Sequence, residues 1–285
     1  MTATLQTLFP EPGPVLLDGA MGTALRDRGF SRGANTTLAN LERPEDVRAI
    51  HLAHRTVGAQ VLTANTFGAL SVAPALRDRA LRAGVSLARS VAAERHTSHD
   101  GSVRRPALVA GSLAGFSIAD DTTALVHATT LLVEAGIDLL VVETCNTVAD
   151  ARAACALKAT VGAQLPMVIC ASSTDGSPAD TQRVHDVLNA VRRVADPSIA
   201  AGLNCCRGPA DILALSLSTS PPISWLKPSL GLGDDLADHA AMAHFAAKAR
   251  RSGARFLGAC CGSTGSTLSS MAQALGHPEH PGSPL

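Results

Sequence analysis

Seven cysteines, at positions 145, 155, 170, 205, 206, 260 and 261, are the residues in this chain best suited to do chemistry. The number is odd and too small to staple 285 residues, which points to a reducing compartment where clustered thiols bind metal or react. Cys205 ends the apolar run IAAGLNC, and Cys260 and Cys261 end RFLGACC. If those runs are the sixth and eighth strands of a closed barrel, all three thiols face one rim. Adjacent strand residues point to opposite faces, so both can ligate one ion only where the chain turns, and Gly262 permits a turn. Three thiolates suit zinc, whose catalytic sites keep three protein ligands and one exchangeable position. The spacing is no C-x-x-C signature and is equally consistent with small buried side chains. Cys145, Cys155 and Cys170 lack partners at ligand spacing and read as packing residues. Cys206 reads either as facing a neighbouring helix or as an oxidation-sensitive thiol beside the site. The pairs His51/His54, His96/His99 and His277/His280 read as solvent-facing, and H-E-x-x-H is absent.

The elements that must position these thiols alternate. Strand candidates begin at Val15, Gln60, Ala107, Leu139, Pro166, Ile199, Ile223 and Arg255, several of them apolar on both faces, as buried parallel strands are. Helical stretches fill the gaps, for example after Arg43, Ala73 and Asp120, with Pro or acidic residues opening them and Gly closing them. Eight strand-helix units in about 260 residues predict a single (β/α)8 barrel, with a doubly wound sheet as the alternative. Asp18-Gly19, Asn65-Thr66, Gly111-Ser112, Glu143-Thr144, Ser172-Ser173, Asn204-Cys205, Lys227-Pro228 and Cys260-Cys261 all fall at C-terminal strand ends, where barrel active sites are built. The expected organisation is an extended N-terminal segment, 1–14, the barrel, 15–275, and a C-terminal tail, 276–285.

Composition narrows the function classes. Hydrophobic residues make up 46% and charged residues 17%, the mark of a folded chain. The 24 basic and 24 acidic residues cancel, so no net field draws a nucleic acid or an anionic membrane. No apolar run approaches the roughly 20 residues of a membrane span, and the N-terminus lacks the pattern of a secretion signal. The expectation is a cytoplasmic enzyme, monomeric or homodimeric.

The motifs LLDGAMGTAL at 16–25, GAQVLTANTFGA at 58–69, VVETCNT at 141–147, GLNC at 202–205 and GACCG at 258–262 together resemble the homocysteine S-methyltransferase family. The resemblance runs in order along nearly the whole chain. It implies a zinc-dependent (β/α)8 barrel in which Cys205, Cys260 and Cys261 hold Zn2+. It also implies that Asp18, Gly19 and Glu143 hold the amino-acid part of L-homocysteine. Members use S-methylmethionine, S-adenosylmethionine or betaine as methyl donor, or form the homocysteine module of cobalamin-dependent methionine synthase. The third-strand loop departs from the family, with Ala114, Gly115 and Phe116 at the Gly-Pro-aromatic positions. So do NTTLANL before the first long helix and Ser229 after Pro228.

The reaction so implied needs the acceptor sulfur as an anion, because a free thiol is mostly protonated at neutral pH. An onium donor leaves as a neutral group and needs no general acid, so alignment and thiol activation suffice and no catalytic base is expected. Six Phe, one Trp and no Tyr offer little for the aromatic cage that betaine favours, which makes a sulfonium donor the expected one. Two other readings stay open. GSTGST from Gly262 opens a helix after the eighth strand, where barrels often bind phosphate. A non-catalytic zinc or thiol sensor would use the same cysteines.

Overall fold

The computed structural model describes residues 2–31, 33–97, 103–116, 121–162, 164–230 and 237–276. The tail beyond 276, with His277 and His280, and His99 lie outside them. Eight parallel strands follow one another round a sheet: β1 (Val15–Leu16), β2 (Val61–Thr63), β3 (Leu108–Ala114), β4 (Leu139–Cys145), β5 (Met167–Ala171), β6 (Ile199–Cys205), β7 (Trp225–Pro228) and β8 (Phe256–Leu257). Neighbours pair in sequence order from β2 to β8, and β8 pairs with β1. A parallel bridge between Leu17 and Val61, with Gln60 N–H donating to the Leu16 carbonyl at 2.8 Å, joins β1 to β2. The result is the single (β/α)8 barrel expected.

Each strand leads into helix. After β1 come α2 (Gly22–Asp27), α3 (Ala39–Glu42) and α4 (Pro44–Val57), and after β2 comes α5 (Pro74–Ala92); α1 (Leu5–Leu8) precedes the barrel. Then follow α6 (Thr122–Glu134), α7 (Val148–Ala156), α8 (Lys158–Val161), α9 (Pro178–Arg192), α10 (Pro209–Leu217), α11 (His239–Arg251) and α12 (Gly265–Ala274). The boundaries follow the chain's own punctuation. α4 opens on Pro44 with Glu45 and Asp46 in its first turn, and it stops at Gly58 with φ 117°. Asp121, Ser177, Asp238 and Thr264 cap α6, α9, α11 and α12 with their side-chain oxygens.

Two apolar layers hold the barrel. Val15, Leu17, Val61, Ala110, Leu139, Val141, Val168, Cys170, Trp225 and Phe256 fill its interior, while a larger cluster lies between the strands and the helices. The first fourteen residues are not simply an extended end. Thr4 and Thr7 form a reciprocal cap on α1, and Leu5 and Phe9, four apart, are buried. Phe9 packs edge-on to Phe256 at 5.4 Å, and Phe256 stacks on Trp225 at 5.5 Å, so the segment plugs the N-terminal end of the barrel. The burial of two apolar side chains outweighs the Pro-rich spacing that suggested extension.

His51 and His54 also depart from expectation. They are 0% and 3% exposed, because they share the inward face of α4 with Val47, Ile50 and Val57. Burial lowers both imidazoles to about 4, and both ring nitrogens of His51 lack a partner among the described residues. They are neutral core groups at neutral pH. Among the described residues no helix is long and apolar enough to cross a membrane.

Candidate metal and substrate site

At the C-terminal rim the Sγ atoms of Cys205, Cys260 and Cys261 lie within 4.8 Å of one another. The backbone bends to bring them there. Cys205 and Cys206 both have φ 56°, and Gly262 has φ 81°, the turn that the Cys260-Cys261 pair requires. Thr144, next to Glu143, has φ 65°, costly for a β-branched residue. Asn204 holds it: its Oδ1 accepts from Thr144 N–H at 2.9 Å, and its Nδ2 donates to Thr144 Oγ1 at 2.9 Å. Three left-handed residues that are not glycine, Thr144, Cys205 and Cys206, thus sit where β4 and β6 end.

The donor set fits zinc. A tetrahedral ion with Zn–S of ~2.3 Å has S···S edges of about 3.8 Å. Cys260 and Cys261 Sγ are 3.9 Å apart. Cys205 and Cys260 Sγ are 2.7 Å apart, so that edge would open by about 1 Å around an ion. Without one, three thiols this close cannot all ionise. Hydrogen bonds from Cys205 and Cys260 draw Cys261 down to about 3, while Cys205, Cys261 and burial push Cys260 up. A divalent cation removes the conflict.

Gly19, Glu143, Lys227 and the three cysteines line one cavity of about 230 Å³. This lies below the ~300–1,000 Å³ of pockets for drug-sized ligands and suits a small substrate. Glu143 is 8% exposed, and its Oε1 accepts from Ser112 Oγ at 2.6 Å. Burial raises its carboxyl, opposed by Lys227 and the Ser112 hydrogen bond, so the group is short of positive charge. Asp18 is arranged differently. It lies behind the cavity wall with both oxygens taken: Oδ1 by Lys227 Nζ at 2.7 Å and Thr63 Oγ1 at 2.8 Å, Oδ2 by Thr63 N–H at 2.5 Å. Burial alone would raise its carboxyl, but Lys227, His54 and Thr63 hold it below 3.8. A Cβ on Gly19 would meet Ser263 Oγ at 2.9 Å and His54 Nε2 at 3.1 Å, so glycine here is also needed for packing behind the site.

Lys227 is the residue that sequence reasoning placed at a strand end without giving it a role. Its signal was there: one of three lysines against 21 arginines, set at the end of the apolar run ISWL. Phe67 was missed too. It lines the cavity, and its ring lies 6.1 Å from that of Phe116, both partly exposed. Cys206 is buried outside the thiol cluster, its Sγ accepting from Ser173 N–H at 3.4 Å, and burial pushes it up to about 12. It is thus no reactive thiol of the site. Cys145 and Cys170 are core residues and Cys155 is half-buried. At the start of α12, Thr264 and Thr267 cap each other's backbone N–H groups and Ser263 Oγ accepts from Ala20 N–H, so the phosphate reading gains no support there.

The family description Homocysteine S-methyltransferase matches residues 15–275. Methionine synthase of Mycobacterium tuberculosis is 28% identical over 310 residues, covering 93% of this chain and 25% of its own length. The chain spans about a quarter of the length of the methionine synthases that it matches. Homocysteine S-methyltransferase 1 of Arabidopsis thaliana is 24% identical, covering 96% of this chain and 97% of that protein. The crystal structure of the Escherichia coli homocysteine methyltransferase MmuM in its apo form shares the fold, with TM-score 0.69, 24% identity, and 95% and 99% of the two chains covered. Its metallated form superposes with TM-score 0.68 at 23% identity over 94% of this chain and 99% of that one. Matched over its whole barrel, motifs included, the chain belongs to the homocysteine S-methyltransferase family.

Proposed function

We propose that the protein transfers a methyl group from a sulfonium donor, S-methylmethionine or S-adenosylmethionine, to the sulfur of L-homocysteine, giving methionine. The observation that carries this reading is the convergence of Cys205, Cys260 and Cys261 on one cavity that Glu143 also lines. Cys205, Cys260 and Cys261 would hold Zn2+, which, when bound, makes a coordinated thiol a thiolate at neutral pH and so supplies the nucleophile. Glu143 has an oxygen, Oε2, that no described hydrogen bond uses, and it would pair with the substrate ammonium. That pairing supplies the positive charge its burial lacks. Asp18 acts through Lys227 and Thr63, fixing the wall against which the amino-acid part lies, and the Gly19 backbone forms the adjoining surface. Family membership supports both the acceptor and the metal, and the metallated form of MmuM supports the metal.

Phe67 and Phe116 support an onium donor, since aromatic faces attract cations. Among the described residues Phe67 lines the cavity with Phe116 beside it, and two phenyl rings offer less than the aromatic cage that betaine favours, which supports a sulfonium. Transfer then rests on alignment, worth up to about 7–11 kcal/mol of barrier. The test is zinc content and methionine formation for the wild type and Cys205→Ala with each of the three donors. The variant is expected to lose both zinc and turnover, and the wild type to prefer a sulfonium. Turnover retained by Cys205→Ala would refute the proposal.

A further inference from the structure

We infer that Lys227 is the residue that binds the carboxylate of the amino-acid acceptor, so that with Glu143 it forms a two-charge clamp for a zwitterion. The inference rests on the proposal that the acceptor is homocysteine and assigns the substrate's charged groups to named walls of the cavity.

An α-amino acid offers a cation and an anion on one carbon. Among the described residues, Glu143 from β4 and Lys227 from β7 are the buried ionisable side chains other than cysteines that line the cavity, and they have opposite signs, whereas Arg26, from α2, lines it as an exposed side chain. Asp18, the other carboxylate nearby, does not line it, and its oxygens are occupied. The ammonium therefore goes to Glu143.

Lys227 has the capacity for the carboxylate. An ammonium has three N–H donors. Lys227 uses one on Asp18 Oδ1 at 2.7 Å and a weaker one on Thr63 Oγ1 at 3.3 Å. The third is unused by any described residue, on a side chain only 5% exposed. Asp18 and Thr63 hold the head group from behind, so the remaining donor is aimed without loss of side-chain freedom on binding. A lock for Asp18 alone would not need to line the cavity. Glu143 and Lys227 stand on strands on either side of the barrel mouth, and β7, which carries Lys227, lies between β6, which ends in Cys205, and β8, which leads into Cys260 and Cys261. Ammonium, carboxylate and sulfur thus each meet a different strand, and a thiol lacking either charged group loses one point of attachment.

The test compares L-homocysteine with its decarboxylated analogue, aminopropanethiol, which keeps the ammonium and the thiol. Binding of each to the zinc-loaded full chain, without any methyl donor, is measured by calorimetry on the wild type and on the double variant Lys227→Met/Asp18→Asn, which removes both members of the Asp18–Lys227 ion pair together. The wild type is expected to prefer homocysteine by about 10–100-fold, the worth of one hydrogen bond between charged groups, and the double variant to lose most of that preference. A wild-type measurement stands beside it: with three lysines, nitrogen NMR of the side-chain ammonium groups should show the Lys227 signal moving with homocysteine and not with the analogue. Undiminished preference in the variant, or a Lys227 signal indifferent to homocysteine, overturns the inference and leaves the proposed reaction standing. If neither ligand binds the wild type, the acceptor itself is wrong and the inference falls with it.

Discussion

Replacing Lys227 by Met should destabilise the protein severely, and replacing Asp18 by Asn in the same chain should restore most of the loss. The two side chains are 5% and 3% exposed and 2.7 Å apart, so the pair is screened very little. Removing one partner of such a pair leaves a buried charge without compensation and costs about 3–5 kcal/mol, whereas neutralising both is close to neutral. Asn at position 18 can still accept from Thr63 N–H and donate to Thr63 Oγ1, which keeps the second layer of the network. The coupling energy of the cycle should therefore be about 2–4 kcal/mol. The single tryptophan, Trp225, lies two residues before Lys227 and is 1% exposed, so its fluorescence reports unfolding in urea at the place being perturbed. Asp18 is held below its ordinary 3.8. A depressed carboxyl contributes stability above its unfolded value and loses it only as pH falls through the folded one, so the coupling should be the same at pH 7 and pH 5. Single-variant costs under about 0.5 kcal/mol, or a double variant that costs the sum of the two, would refute the reasoning.

Two further predictions follow from the core. His51, with both ring nitrogens unpartnered, is lowered to about 4 from 6.5, so the unfolded chain binds the extra proton and stability is lost as pH falls from about 6.5 to 4. His51→Leu should be neutral or stabilising at pH 7.5 and gain about 2 kcal/mol on the wild type at pH 5 in urea unfolding; a pH-independent difference would contradict the burial argument. Phe9→Ala should cost about 3 kcal/mol by opening a void against Phe256 while leaving zinc content unchanged, and a cost below about 0.5 kcal/mol would show that the N-terminal segment does not plug the barrel.

Much of the barrel is legible because buried parallel strands read as apolar on both faces, and all eight strand positions are those of the runs that predicted them. The thiol cluster is legible for the same reason, since strand ends fix the rim on which Cys205, Cys260 and Cys261 meet. What escapes the one-dimensional pattern is pairing across the barrel. Asp18 and Lys227 are 209 residues apart, and only closure of the sheet makes one spend its charge on the other. The same closure hides Asp18 and leaves Glu143 facing the cavity, a division that motif matching alone treats as equivalent. His51 and His54 misled because histidine is ambivalent: at three-residue spacing they fit an exposed face as well as a buried one, and the surrounding Val47, Ile50 and Val57 decide. Leu5 and Phe9 were obscured by the prolines that follow them.

The central claim is that three cysteine sulfurs hold an ion with one position left for the acceptor's sulfur. Zinc-edge X-ray absorption on the full chain, with and without L-homocysteine, tests it most directly. The account predicts three sulfur neighbours at ~2.3 Å with one lighter atom, becoming four sulfurs when homocysteine is added. An unchanged shell on adding homocysteine, or fewer than three sulfurs before it, would contradict the account.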